Sequence, residues 1–104
     1  MISTRLAGKR CLVTGGSRGL GRAMCEAFVD AGAKIAFTYS TDDVDAEASR
    51  AALIAKGAEP LVFKGRVADS AHDTATIKAI VAAWGGIDVL VNNAGVTLIL
   101  PIAL

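Results

Sequence analysis

The sequence predicts an α/β fold, an open and doubly wound parallel sheet with helices on both faces. Three observations support this prediction. Four short apolar runs are separated by three segments of helical period. The connecting segments are long enough for helical crossovers, and the runs are apolar throughout, as in strands that helices cover on both sides. We therefore expect parallel strands joined by right-handed crossovers, in one domain over residues 1–104.

The predicted strands share a composition. Each is rich in β-branched, aromatic or aliphatic residues, and each is bounded by Gly, Pro, Asn or Asp, which favour turns. The strands are Arg10–Val13, Lys34–Tyr39, Leu61–Phe63 and Ile87–Val91. We expect a sheet of about four strands.

The first predicted helix follows the first strand. Its apolar residues recur at i, i+3, i+4, i+7, i+8 and i+11, which places them on one helical face. Gly32 stands where a left-handed residue would end the helix. The predicted buried face consists of Leu20, Ala23, Met24, Ala27, Phe28 and Ala31.

The second and third predicted helices have their own end signals. The second begins after Ser40–Thr41 and ends at Lys56–Gly57, a basic residue followed by a common helix stop. Its first turn holds three carboxylates, which the helix dipole favours there. The third begins near Asp69–Ser70 and ends at Gly85–Gly86. The three carboxylates are Asp42, Asp43 and Asp45, and the apolar stripe of the third helix is Ile77, Ile80, Val81 and Trp84.

Charge and hydropathy exclude several classes of protein. Eleven basic and ten acidic residues give a net charge of +1, without the basic excess of a protein that binds nucleic acid or anionic lipid. No run approaches the roughly 18–20 apolar residues that span a bilayer, and Met1–Gly8 lacks the apolar core of a signal peptide. Cys11 and Cys25 lie in apolar runs without metal-ligand spacing. We expect a cytoplasmic protein with two buried thiols, no metal site, and no nucleic-acid or membrane partner.

The most informative segment is Thr14–Gly21, between the first strand and the first helix. A glycine-rich turn there lets backbone N–H groups and a helix N-terminus point at a phosphate. The GxGxxG fingerprint fails, because Ser17 stands two residues after Gly15. The P-loop pattern GxxxxGK[ST] is a near miss: Arg22 would replace the Lys, but Ala23 lacks the hydroxyl that binds magnesium. A structural turn without a ligand is a further alternative.

The turn matches TGxxxGxG, and the segment after the fourth strand, Asn92–Gly95, matches NNAG. With these two motifs the chain resembles the short-chain dehydrogenase/reductase family, and most of all its 3-oxoacyl-acyl-carrier-protein reductases. The resemblance implies a Rossmann-like fold in strand order 3-2-1-4 and a hydrogen bond from Thr14 to the NNAG segment. It implies that these residues bind a nicotinamide dinucleotide: Gly15, Gly16, Ser17, Arg18, Gly19, Leu20, Gly21, Tyr39, Ser40, Arg66, Val67, Asn93, Ala94 and Gly95.

The end of the second strand predicts which dinucleotide binds. An acidic residue there would accept from the ribose 2′-OH and repel a 2′-phosphate. This chain has Tyr39-Ser40-Thr41, whose hydroxyls can donate to a phosphate, and Arg18 can pair with one. We therefore expect NADP(H) in preference to NAD(H). Where the family usually has Asp-Val or Asn-Val at the adenine, this chain has Arg66–Val67, and Arg66 cannot accept a hydrogen bond.

The family's catalytic Tyr-x-x-x-Lys is not in this sequence. Its single tyrosine, Tyr39, is followed four residues later by Asp43. We therefore assign no catalytic residue and expect this chain to be part of a longer enzyme, a homo-oligomer acting on a carbonyl or alcohol substrate. A non-catalytic NADP(H)-binding or interaction module is the alternative. The fourth strand would be an unpaired apolar edge. The uncharged Val96–Leu104 would begin a loop or helix that packs against something else.

Overall fold

The computed structural model describes residues 5–65, 70–93, 97–98 and 102–103. In chain order the described elements alternate between strand and helix until α3, after which four short strands follow. The elements are β1 (Arg10–Thr14), α1 (Gly19–Asp30), β2 (Lys34–Tyr39), α2 (Asp43–Ala55), β3 (Leu61–Lys64), α3 (Ser70–Trp84), β4 (Gly86–Ile87), β5 (Val89–Asn92), β6 (Thr97–Leu98) and β7 (Ile102–Ala103).

The main sheet has the order β3-β2-β1-β5-β6. The first four of these strands are parallel, which confirms the predicted doubly wound sheet. At its centre Val13 of β1 lies between Phe37 of β2 and Val91 of β5. Because the strands are parallel, the glycine-rich turn after β1 and the NNAG segment after β5 leave the same edge of the sheet.

Helices cover both faces of this sheet, each over its own apolar core. On one face α1 and α2 bury Cys25 and Leu53 against Val13, Ile35 and Phe37. On the other face α3 buries Ile80 against a core made of Leu12, Ala36 and Ile87. Ile77 and Trp84 pack half-buried beside it, so the predicted stripe of the third helix is confirmed.

The end of the chain corrects two predictions. The fourth predicted strand is divided at Asp88 into β4 and β5, because Asp88 accepts hydrogen bonds from the Arg10 side chain and backbone. The expected unpaired edge is also wrong. Strand β6 pairs antiparallel with β5, and β7 pairs antiparallel with β4. The tail therefore contains two short strands, which give hydrogen-bond partners to backbone groups that an open edge would leave unpaired.

Helix α1 is rotated relative to its predicted face. Leu20 is 69% exposed, and Ala23 and Ala27 are exposed, whereas Gly21 and Cys25 are buried. Met24 and Phe28 are half-buried against the core, as the periodicity indicated. The rotation has a local cause: Gly21 lies so close to the Gly15 carbonyl that no side chain fits between them.

The ends of α1 and α2 follow their sequence signals. Gly32 has φ +91°, as expected of the residue that ends α1. Asp42 is the N-cap of α2 and not a member of its first turn, because its carboxylate accepts from the Asp45 amide at 2.9 Å. Among the helices of the described residues, none has both the length and the apolar character needed to cross a bilayer.

The two cysteines are buried free thiols. Burial raises the pKa of the Cys11 thiol to about 11 and that of Cys25 to about 12, because the charged thiolate is poorly solvated there. Both side chains therefore act as small apolar groups in the core, as the sequence predicted.

Candidate cofactor-binding site

The glycine-rich turn begins at Gly15 and runs into α1. Gly15 has φ +69°, a left-handed conformation that glycine adopts without strain. A Cβ at Gly21 would overlap the Gly15 carbonyl oxygen, so the first turn of α1 can approach the end of β1 only because residue 21 is glycine. The result is a tight turn that brings the N-terminus of α1 to the carboxyl edge of the sheet.

The turn is tied to the end of β5 by hydrogen bonds. The Asn93 amide donates to Thr14 Oγ1 at 3.1 Å, and Asn93 Nδ2 donates to the Gly15 carbonyl at 3.4 Å. Thr14 Oγ1 in turn lies 3.4 Å from the Val91 carbonyl, to which it can donate. The expected hydrogen bond between Thr14 and the NNAG segment is therefore confirmed. The two sequence motifs form one structural unit.

The N-terminus of α1 is open to an anion. Arg18 is the N-cap in an extended conformation and makes no side-chain cap, and the first turn of the helix has no acidic residue. The first amides of a helix have no intrahelical partner, and the helix dipole gives this end a partial positive charge. Residues Gly19, Leu20 and Gly21 begin the helix at this point. Such a helix end favours an anionic group.

Two residues of the predicted site have structural partners inside the protein. The Gly16 amide donates to the Thr38 carbonyl at 3.1 Å, and a Cβ on Gly16 would overlap Phe37 and crowd Cys25. Gly16 therefore lets the turn pack on β2 and α1, and its contact with a cofactor stays a prediction. Ser17 is buried, and its carbonyl accepts from Ser49 Oγ of α2 at 2.6 Å.

Sequence reasoning missed Ser49. The position is three residues after Ala46 and four before Leu53, both buried, so helical periodicity places it on the apolar face of α2. A serine on such a face must find a hydrogen-bond partner, and that requirement is the signal that could have drawn attention to it.

Charged groups surround the end of β2. The Tyr39 hydroxyl donates to Asp43 at 2.7 Å, and Asp43 also pairs with Lys64 at 3.1 Å. The hydrogen bond to Asp43 raises the pKa of Tyr39, and the same bond, together with Lys64, lowers the pKa of Asp43. The sequence did not predict that a carboxylate would accept a hydrogen bond from Tyr39.

The Arg18 side chain is 75% exposed and lies 3.8 Å from Asp45, and Ser40 is also exposed.

A small cavity adjoins this edge of the sheet on the α3 side. Its volume is about 160 Å³, and Thr14, Thr38, Asp73 and Asn92 are among its lining residues. The Thr38 hydroxyl is buried and has no hydrogen-bond partner among the described residues. Leu12, Ile77 and Leu90 also line this cavity, and its walls are mostly apolar. Four predicted site residues, Arg66, Val67, Ala94 and Gly95, lie outside the described residues.

Comparison with known proteins gives a consistent result. The model of the short chain dehydrogenase family matches residues 9–103. The 3-oxoacyl-acyl-carrier-protein reductase FabG of Staphylococcus aureus is 40% identical over 89 residues, or 86% of this chain and 36% of that protein. The chain thus spans about a third of the length of the curated relatives it matches.

Two similar solved structures contain a nicotinamide dinucleotide. A short chain dehydrogenase from Burkholderia cenocepacia J2315 in complex with NADP has a TM-score of 0.81 and 40% identity, over 88% of this chain and 38% of that one. A blue fluorescent protein from a metagenomic library in complex with NADPH has a TM-score of 0.80 and 40% identity, over 90% of this chain and 39% of that one.

Proposed function

The chain belongs to the short chain dehydrogenase family, and from this we propose that it forms the cofactor-binding part of an oxidoreductase. In the proposed reaction, hydride passes between NADP(H) and a carbonyl or alcohol substrate. The observation that carries the proposal is the open N-terminus of α1, which Gly21 brings against the Gly15 carbonyl, while Asn93 after β5 donates to that same carbonyl. This arrangement supports the proposal that backbone N–H groups at the start of α1 donate to a pyrophosphate.

The proposed roles rest on the positions of the described residues and, for Arg66 and Val67, on the family resemblance alone. The amides at the start of α1, from Gly19 to Gly21, donate to the pyrophosphate, and Asn93 with the following residues lines the nicotinamide ribose. Val67 would offer its backbone N–H to the adenine, and Arg66 would stack on that ring, reach a phosphate or point to solvent. When bound, the nicotinamide supplies or accepts the hydride.

We propose NADP(H) in preference to NAD(H). The segment Tyr39-Ser40-Thr41 has no carboxylate, Ser40 is exposed, and the mostly exposed Arg18 side chain lies 3.8 Å from Asp45 in the helix that follows this segment. A guanidinium pairs more strongly with a 2′-phosphate than with a neutral 2′-hydroxyl. The NADP and NADPH complexes of two similar proteins support the same choice.

We propose that the substrate is a ketone, and more narrowly a 3-oxoacyl thioester. The similarity to a protein named 3-oxoacyl-acyl-carrier-protein reductase supports the narrower choice. The family's Tyr would donate the proton to the substrate oxygen or accept it from there, and the family's Lys would lower the pKa of that Tyr. This chain has no Tyr-x-x-x-Lys, so those groups would come from outside residues 1–104. We also propose that the protein is a homo-oligomer in the cytoplasm.

Replacing Arg18 tests the cofactor choice. We expect Arg18→Ala to weaken NADPH binding about tenfold or more and NADH binding little, because the lost partner is a charge-assisted contact to the 2′-phosphate. The measurement is a titration that is monitored through the fluorescence of each reduced cofactor. Arg22→Ala is the control, since Arg22 is a second arginine of this region and pairs with Glu26 of the same helix. If Arg18→Ala weakened the binding of both cofactors equally, Arg18 would not be the partner of the 2′-phosphate.

A non-catalytic NADP(H)-binding module is the alternative proposal. The coding sequence downstream of Leu104 distinguishes the two. A reading frame that continues into Ser and Tyr-x-x-x-Lys supports the enzyme, whereas a stop codon after Leu104 supports the module.

A further inference from the structure

Helix α2 reaches the glycine-rich turn through a buried hydroxyl. Ser49 is 0% exposed, and its Oγ donates to the Ser17 carbonyl oxygen at 2.6 Å. Ser17 is itself only 8% exposed. The bond joins residues 32 apart in the sequence and lies at the short end of the range for hydroxyl donors. It is therefore a well-formed hydrogen bond between two different elements.

This bond determines the orientation of one peptide group in the turn. The Ser17 carbonyl and the Arg18 N–H belong to the same peptide, and the described residues have no cis peptide bond. In a trans peptide the C=O and the N–H point in opposite directions. Because Ser49 holds the carbonyl toward α2, the Arg18 N–H is directed away from α2. Arg18 is the N-cap of α1, so this N–H lies at the open, partly positive end of the helix.

The same helix also contacts the Arg18 side chain. Asp45, one helical turn before Ser49, lies 3.8 Å from the Arg18 guanidinium. Thus α2 contacts both the peptide before Arg18 and the side chain of Arg18. The buried contact is the stronger constraint, because an exposed ion pair at this distance contributes little. An unpaired buried carbonyl, in contrast, is costly.

We propose that Ser49 is a positioning residue for cofactor binding: its hydroxyl holds the glycine-rich turn in the conformation that receives the pyrophosphate. The inference rests on the proposed function, since it concerns the same site. Without the hydroxyl, the Ser17 peptide can rotate toward water, and the turn then has to be ordered when the dinucleotide binds. Such an ordering cost lowers affinity without removing a contact to the ligand.

The test compares Ser49→Ala with Ala46→Gly. Ala46 is 3% exposed on the same face of α2, so its replacement by glycine destabilises the helix but leaves the hydrogen bond to Ser17 in place. We expect Ser49→Ala to weaken NADPH and NADH binding by the same factor of about ten, because both carry the pyrophosphate. Ala46→Gly should change neither affinity by more than about twofold. Ser49→Cys keeps a weak donor of similar size and should give an intermediate loss of about threefold.

Hydrogen exchange provides a readout that needs no cofactor. In the unliganded chain, the Gly16 amide, which precedes Ser17 and donates to the Thr38 carbonyl at 3.1 Å, should exchange about tenfold faster in Ser49→Ala than in the unsubstituted protein, and no faster than twofold in Ala46→Gly. Unchanged exchange, or equal cofactor affinities for the Ser49 and Ala46 variants, would overturn the inference. If the unsubstituted chain binds neither dinucleotide, the proposed function fails and the cofactor role of Ser49 fails with it. Faster exchange in Ser49→Ala would then show that the hydroxyl only stabilises the turn.

Discussion

At the scale of single residues, the site depends on a contact that only glycine allows. Gly21 lies so near the Gly15 carbonyl that no side chain at residue 21 would fit between α1 and the end of β1. Cys25, one turn further along α1, is then fully buried. The position of the α1 N-terminus, and with it the predicted phosphate site, follows from the missing side chain at residue 21.

This contact predicts the effect of Gly21→Ala. We expect a loss of about 1–3 kcal/mol in the free energy of unfolding, because the added methyl forces the backbone apart, and at least a tenfold loss of NADPH affinity. Gly57→Ala is the control: Gly57 has φ +93° but no neighbour that a Cβ would touch. It should cost about 1 kcal/mol through strain and leave the affinity unchanged. Urea unfolding and cofactor titration of both variants check the prediction; an unchanged affinity for Gly21→Ala would contradict it.

At the scale of elements, β1 and β5 are joined at their start by an ion pair. Asp88 accepts from the Arg10 amide and Nε, each at 2.9 Å, and from a terminal guanidinium nitrogen at 3.0 Å. These hydrogen bonds lower the pKa of Asp88 to about 2. Because they hold the chain between β4 and β5 against the start of β1, they also explain why the last predicted strand is interrupted.

The lowered pKa predicts a pH dependence of stability. A carboxylate whose pKa is depressed by folding stabilises the protein above its unfolded pKa, near 4, and loses that contribution as the pH falls toward 2. We expect Asp88→Asn to cost about 1 kcal/mol at pH 7, allowing for partial exposure, and almost nothing at pH 2. Asp30→Asn, which removes an exposed pair with Lys56, should cost less than Asp88→Asn at pH 7. Denaturant unfolding between pH 2 and 7 measures this; a cost for Asp88→Asn that does not depend on pH would contradict it.

The elements also show how far sequence reasoning reaches. Strands β1 to β3 and the three helices were predicted to within about one residue at their described ends, because buried apolar runs and glycine stops are local signals. The rotation of α1 was not predicted, since it depends on the distance between Gly21 and another part of the fold. The two-residue strands after β5 were also missed: strands this short are specified by their pairing partners, not by composition.

At the scale of the whole molecule, the two motifs meet because the topology places β5 beside β1. The sequence located both motifs, and the resemblance correctly implied the hydrogen bond between Thr14 and Asn93. It did not show that Ser49 supports the turn or that Asp43 engages Tyr39. Each of these contacts is made by a side chain of α2, and its partner is known only once α2 is packed against the sheet.

The central claim is that amides at the start of α1 and in the preceding turn bind a dinucleotide pyrophosphate. The most direct test is a nuclear magnetic resonance titration of the nitrogen-15-labelled chain with NADPH. We predict that the largest shifts fall on the amides of residues 15–21 and on that of Asn93. The account would be contradicted by binding without shifts in these amides, or by shifts centred at the opposite edge of the sheet. There Lys34, Arg50 and Trp84 help to line a larger cavity of about 580 Å³.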